Sequence, residues 1–178
     1  MASSLASLVV FLHVCDGSCL RYPLETCTAS GYLRGKSSNC SDPDCCKAGA
    51  MYPQHRCSPP VTADTTAHMT IVSFAAGGDG GGAAACDGQY HSDDQMLVSL
   101  STGWYDDGSR CNKNITVNAN GRSVLAMVVD ECDSVYGCEA EQNFQPPCGN
   151  NIISASPAVW KALAIPEARI GYYDVRRM

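Results

Sequence analysis

The sequence predicts a mainly β fold, a small closed barrel, with a cysteine-rich N-terminal segment stapled to it by disulfides. Three observations lead there. Twelve cysteines sit among only 178 residues. Five short β-branched or alternating runs are separated by Gly, Asn and Asp clusters, and a single stretch has a convincing helical pattern. Hydrophobic residues make up 45% and charged residues 17%, a balance that folds rather than stays disordered. Many short strands with one helix favour closure, because a barrel removes sheet edges without needing a large core.

Residues 1–14 come first and read as a signal peptide. Leu5 to Val14 is an apolar stretch interrupted only by Ser7 and His13, long enough for a secretory core and too short to span a bilayer. No lysine or arginine precedes it, and no small-x-small site precedes Cys15. A buried N-terminal strand or helix is the alternative.

Residues 15–60 form the cysteine-rich segment. The cysteines stand at 15, 19, 27, 40, 45, 46, 57, 86, 111, 132, 138 and 148. No C-x2-C pair occurs and the four histidines are scattered, so zinc lacks its ligand spacing and no metal or cofactor is expected. Oxidation in pairs, and with it an extracellular setting, is the better reading. Seven cysteines precede Pro59 and five follow it. With full intrachain pairing, two odd numbers require at least one bridge between this segment and the rest; which cysteines pair stays open. Between 15 and 58 there is almost no periodic apolar pattern, as in a region held by bridges rather than by core. Pro59-Pro60 marks an extended connection into the next domain.

Residues 61–178 form the barrel domain. The runs Met69–Phe74, Met96–Ser101, Ile115–Ala119, Val124–Val129 and Ile170–Val175 read as strands. Asn120-Gly121 suits a hairpin turn, since both residues tolerate positive φ. Ser156 to Leu163 reads as the helix, with Ser156 able to cap, Pro157 at the first helical position, and Val159, Trp160 and Leu163 on an apolar face. The glycine run 77–82 lacks the Gly-Lys-Ser/Thr ending of a phosphate loop and reads as a flexible surface loop. This domain holds fourteen acids against seven bases, so the net charge of −6 belongs to it. Such a surface repels phosphate backbones and anionic bilayers, which disfavours nucleic-acid and membrane partners.

Longer motifs then come in order: Gly77 to Gly82, Ser101-Thr102-Gly103-Trp104-Tyr105, Gly108-Ser109-Arg110-Cys111 and Val128-Val129-Asp130-Glu131-Cys132-Asp133-Ser134. Gly137-Cys138, Gln145-Pro146-Pro147-Cys148, Asn150-Asn151-Ile152 and Ala158-Val159-Trp160 come after them. Upstream stand Gly35-Lys36-Ser37, Cys45-Cys46 and Cys57-Ser58-Pro59-Pro60-Val61. From about residue 27 onward this string resembles the kiwellin family, the plant ripening-related proteins. The resemblance implies a six-stranded double-psi β-barrel of the barwin and expansin kind, with one or two short helices. It also implies a secreted, apoplastic protein of defence or ripening, of a group in which some members bind and inhibit secreted microbial enzymes. Two departures stand out. Of the cysteine-rich module of longer kiwellins, only Cys15-Asp16-Gly17-Ser18-Cys19 looks present, so Cys15 and Cys19 pair with each other or lack their usual partners. The disulfide set is therefore Cys27, Cys40, Cys45, Cys46, Cys57, Cys86, Cys111, Cys132, Cys138 and Cys148, with Cys15 and Cys19 in question. Ser154 stands where many relatives have an aspartate.

That second departure bears on catalysis. Glycan-cleaving barrels use two carboxylates flanking the bond. Asp130, at the end of an apolar strand, resembles the aspartate of the expansin Thr-Asp pair, but the second acid falls near Ser154, and a serine hydroxyl has no accessible ionisation. No enzyme activity is expected, and Asp130 reads as a rim residue accepting backbone hydrogen bonds. Binding is the stronger idea. Tyr90, Trp104 and Tyr105 offer flat amphipathic surface, with Asp93, Asp94, Asp106 and Asp107 beside them in sequence; with Asp130 these form the expected binding set. The alternative places Trp104 in the core. The expected partner is a secreted microbial protein, with a cell-wall glycan as the second possibility and a ligand-free structural or storage protein as the third. Of two N-x-S/T sequons, Asn114-Ile115-Thr116 is the glycosylation candidate; Asn39 stands beside a half-cystine.

Overall fold

The computed structural model describes residues 27–36, 40, 43–62 and 65–176; residues 1–14, read from sequence as a signal peptide, and Cys15, Cys19 and Asn39 lie outside them. Two strands, β1 (Gly31–Arg34) and β2 (Met51–Gln54), pair antiparallel as a separate ribbon. The sequence shows almost no periodic apolar pattern here. Leu33 and Tyr52 face each other on the half-buried side, while Tyr32, Arg34, Met51 and Pro53 are exposed. Apolar residues on both faces erase the alternation that marks a strand.

The barrel strands are β3 (Thr66–Ile71), β4 (Leu97–Ser101), β5 (Asn114–Ala119), β6 (Arg122–Cys132), β7 (Ile152–Ala155) and β8 (Tyr173–Arg176). They close in the order β3-β7-β4-β6-β5-β8. The pairs β3–β7 and β4–β6 are parallel and the others antiparallel, the six-stranded double-psi barrel. Strand β7 was missed because Ile-Ile-Ser-Ala is only four residues long and carries no alternation of its own. Asn120 and Gly121 make the tight turn between β5 and β6, at φ 51° and 70°.

Inward-facing Ala67, Met69, Val98, Leu100, Ile115, Val117, Val128 and Ile153 fill the barrel. A helical turn, α1 (Thr102–Tyr105), and α2 (Pro157–Ala162) plug its ends with Trp104 and Trp160. Pro157 occupies the first turn of α2 as expected, but Ser156 does not cap it. Its buried hydroxyl donates to the Gln95 carbonyl (2.7 Å) and accepts from the Leu97 N–H (3.3 Å), tying the helix start to β4. A second small core of Phe74, Ala84, Leu97 and Val129 lies outside the barrel under the segment 72–91. Strand β4 is consequently buried on both faces.

Five bridges form among the described residues: 27–57, 40–45, 46–138, 86–111 and 132–148. Cys46–Cys138 is the bridge that parity demanded between the N-terminal segment and the barrel domain. Hydrogen bonds reinforce it, from Gln54 Nε2 to the Val135 carbonyl (2.6 Å), from His55 N to Ser134 O (2.7 Å) and from Trp104 Nε1 to Pro59 O (2.7 Å). The chain passes so close to α1 that a Cβ on Gly103 would sit 2.1 Å from Ser58 N. Only glycine fits at 103.

Candidate functional site

The outer faces of β3, β7, β4 and the end of β6 form the floor of a groove of about 790 Å³. Thr70, Ser154, Ser99 and Asp130 run across it on adjacent strands, since Thr70 pairs with Ser154, Ser154 with Ser99, and Ser99 with Asp130. The segments 79–85 and 133–149 wall it in. They are joined across the groove by Asn143 Nδ2 donating to the Asp79 carbonyl (3.2 Å). The glycine run, expected from sequence to be a flexible surface loop, packs on Ser73 at Gly78 and Gly80 while Gly77 and Gly82 are exposed. Gly80 packs on Ser73, where a Cβ would come within 2.4 Å of a backbone oxygen, and the Asp79 carboxylate accepts from Ser73 N (2.7 Å).

A β-bulge aims Asp130 into the groove. Val98 pairs with Val128 but Ser99 pairs with Asp130, so Val129 is an extra residue in β6. Val129 turns outward into the small core, and Asp130 follows it onto the same side. The Asp130 Oδ1 accepts two backbone N–H groups, from Ala85 and Glu131, each at 2.8 Å. Burial raises its pKa, outweighing those hydrogen bonds and nearby His91; the Asp87 charge raises it further. Burial also lifts Glu131, against the hydrogen bond from Thr102 Oγ1 (2.5 Å), with Asp133, Asp130 and Asp107 adding like-charge repulsion. Asp133 caps a turn by accepting from the N–H groups of Val135 (2.7 Å) and Tyr136 (2.8 Å). That turn presents Tyr136, 65% exposed, on the groove wall.

Six acids line the groove, Asp44, Asp79, Asp130, Glu131, Asp133 and Glu141, and no lysine, arginine or histidine is among the described lining residues. Opposite Asp130, two strands away, lies Ser154, at about 9–10 Å by strand spacing. Ser154 is 6% exposed; its hydroxyl accepts from Thr70 Oγ1 (2.9 Å) and lies 3.3 Å from Cys132 Sγ. The position that would pair with Asp130 therefore holds no ionisable group.

Of the eight residues expected to bind, only Asp130 lines the groove. Trp104 and Tyr105 are corrections: both are buried and neither offers surface to a partner. The Trp104 indole is used internally, and the Tyr105 hydroxyl lies 3.4 Å from Cys111 Sγ of the 86–111 bridge. Burial, followed by the charges of Glu131 and Asp130, raises the Tyr105 pKa. Asp93 holds the chain, accepting from Ser73 Oγ (2.8 Å) and Phe74 N (3.1 Å). Asp106 and Asp107 are exposed left-handed residues after α1, while Asp94 and Tyr90 are exposed in the segment before β4. Sequence reading missed Asp79, Glu141 and Tyr136, which only loop packing brings to Asp130. Glu131 and Asp133 carried a signal, an acidic cluster closing an apolar strand.

Fold and groove together define a class, the disulfide-pinned double-psi barrel with an acidic outer groove. The chain belongs to the kiwellin family: residues 3–174 match the family model described as Kiwellin-1. It is 49% identical over 161 residues to ripening-related protein 3 of Oryza sativa subsp. japonica, covering 84% of this chain and 76% of that protein. It is 46% identical over 166 residues to kiwellin of Actinidia chinensis var. chinensis, covering 92% and 71%. Among solved structures, the apo expansin of Clavibacter michiganensis is a slighter likeness, with a TM-score of 0.44 and 19% identity over 62% of this chain and 48% of that one.

Proposed function

We propose that this protein is a secreted, non-catalytic binder whose groove takes a basic segment of a secreted microbial protein, an enzyme being the favoured class. The observation that carries the reading is the groove lining, six acids with no base among the described residues. A one-signed, walled surface steers and selects an oppositely charged partner. Ser154, across the floor from Asp130, holds no ionisable group, so the carboxylate pair of the glycan-cleaving relatives is incomplete at that position. Extracellular placement fits five disulfides and the absence, among the described residues, of any helix long and apolar enough to cross a membrane.

The test is capture from secreted fungal proteins on immobilised wild type and on an Asp79→Asn, Glu141→Gln variant. A partner retained by wild type, lost from the variant and released as salt rises is the expected result. No partner retained across several pathogens overturns the reading. A second reading, cell-wall polysaccharide binding, is favoured by Tyr136, whose exposed ring on the groove wall is placed to stack on a sugar. Retention on insoluble glucan, xylan or chitin that disappears in Tyr136→Ala would decide for it. Trp104→Ala cannot serve that purpose, because the ring is core.

A further inference from the structure

The sequon Asn114-Ile115-Thr116 opens β5, a strand that contributes no lining residue to the groove. Asn114 is exposed, and its side-chain amide makes no hydrogen bond to a described residue. Along β5 the inward residues Ile115, Val117 and Ala119 are buried in the barrel, so Asn114 and Thr116 share the outer face. Directly across on β6, Asn114 faces Met127 and Thr116 faces Leu125. Leu125 is 63% exposed, a large apolar side chain on the open outer face of a barrel strand.

From this juxtaposition we infer that Asn114 carries an N-linked glycan that lies over the Leu125 strip and leaves the groove open. The inference rests on the secreted reading, since the transfer takes place on the secretory route. In that step the Asn114 side-chain nitrogen attacks the anomeric carbon of an oligosaccharide carried on a lipid pyrophosphate. The carbon–nitrogen bond forms, the glycosyl–phosphate bond breaks, the lipid pyrophosphate leaves, and the amide gives up one proton to the transferase. Once attached, the first sugars stand beside Leu125, a diagonal cross-strand neighbour at roughly 7–8 Å. Sugar there replaces the water that an exposed leucine would otherwise order, and blocks the strip from a second molecule.

The wild-type chain, expressed in plant cells and collected from the medium, is the material for the test. It is reduced, alkylated, digested with endoproteinase Asp-N and treated with peptide-N-glycosidase A in heavy-oxygen water. The expected result is a labelled Asn-to-Asp conversion in the peptide of residues 107–129, where Asn114 is internal, localised by fragmentation to Asn114. Localisation matters because Asn120-Gly121 in the same peptide deamidates without an enzyme. Secreted material in which Asn114 is unmodified overturns the inference, whereas failure to reach the medium overturns the secreted reading instead. The covering role is read separately, with Asn114→Gln expected to bind more of a hydrophobic dye and to self-associate. Adding Leu125→Ser should reverse both effects; if neither changes in Asn114→Gln, the glycan covers nothing. Partner or glycan retention in the groove is expected to be the same with and without the sugar.

Discussion

Asp130 shows how one residue can be placed by function-like geometry and still serve the fold. Its carboxylate holds the 72–91 segment through Ala85 N and its own strand through Glu131 N. Because burial raises its pKa in the fold, the native state binds a proton more readily than the unfolded chain. Its contribution therefore favours the fold increasingly as pH falls from neutral through the raised value, and levels off below the ordinary carboxylate pKa of about 3.9. Asp130→Asn keeps an oxygen acceptor for both N–H groups and removes the charge. It is expected to melt no lower than wild type at pH 7, with wild type gaining on it as the pH is taken to about 4. Thermal melts across that range check this; a variant several degrees weaker at pH 7 would mean that the charge itself supports the fold. Trp104→Ala is expected to cost roughly 3–5 kcal/mol, as for other buried aromatics, read by denaturant unfolding. That loss would register before any partner is added, which separates a core tryptophan from a binding one. From sequence Trp104 and Tyr105 looked like anchors because their acidic neighbours were adjacent in the chain. Adjacency in sequence says nothing about which way α1 turns, and it turns them inward.

At the scale of elements, the β1–β2 ribbon is held to the barrel domain by one bridge, a few main-chain and side-chain hydrogen bonds and the Lys36–Glu139 ion pair rather than by a core. Replacing both Cys46 and Cys138 with serine opens a loop of sequence separation 92. Chain entropy puts that loss at up to roughly 4–5 kcal/mol, less to the extent that other bridges already restrain the chain. The expected outcome is limited proteolysis within 47–60 while the barrel keeps its cooperative melt. Gly103→Ala tests the same junction without touching sulfur, since its methyl would meet the backbone at Ser58. It is expected to loosen the Pro59–Trp104 hydrogen bond and raise amide exchange at residues 55–58. Unchanged exchange there would mean that the contact is not needed. The elements themselves were unevenly legible. Strands β4, β5 and β6 announced themselves because each has inward residues of high β propensity over five or more positions. Strand β7 did not, because its short run becomes a strand only when β3 and β4 flank it. The Ser156 cap failed for a related reason: Gln95, just before β4, and Leu97, at its start, offered its hydroxyl better partners than the helix did.

Across the whole molecule, charge and oxidation are the governing terms. The barrel domain is acidic in sequence, but the concentration of six acids in one groove comes from three separate parts of the chain. A basic partner's association should slow markedly as ionic strength rises past about 0.15 M, where the screening length is near 8 Å. Stopped-flow or surface-binding rates check this, and a salt-independent rate would point to aromatic contacts such as Tyr136 instead. The sequence by itself determined the oxidised, mainly β character of the protein, the odd–odd cysteine count that forces an inter-segment bridge, and Asp130 at a strand end. Those are local or additive properties, set by composition, parity and periodicity. Tertiary structure alone decided which acids share a groove, which aromatics face water and which cysteines meet. Such pairings depend on crossovers and on a one-residue bulge, where a single step in register sends every later side chain to the other face.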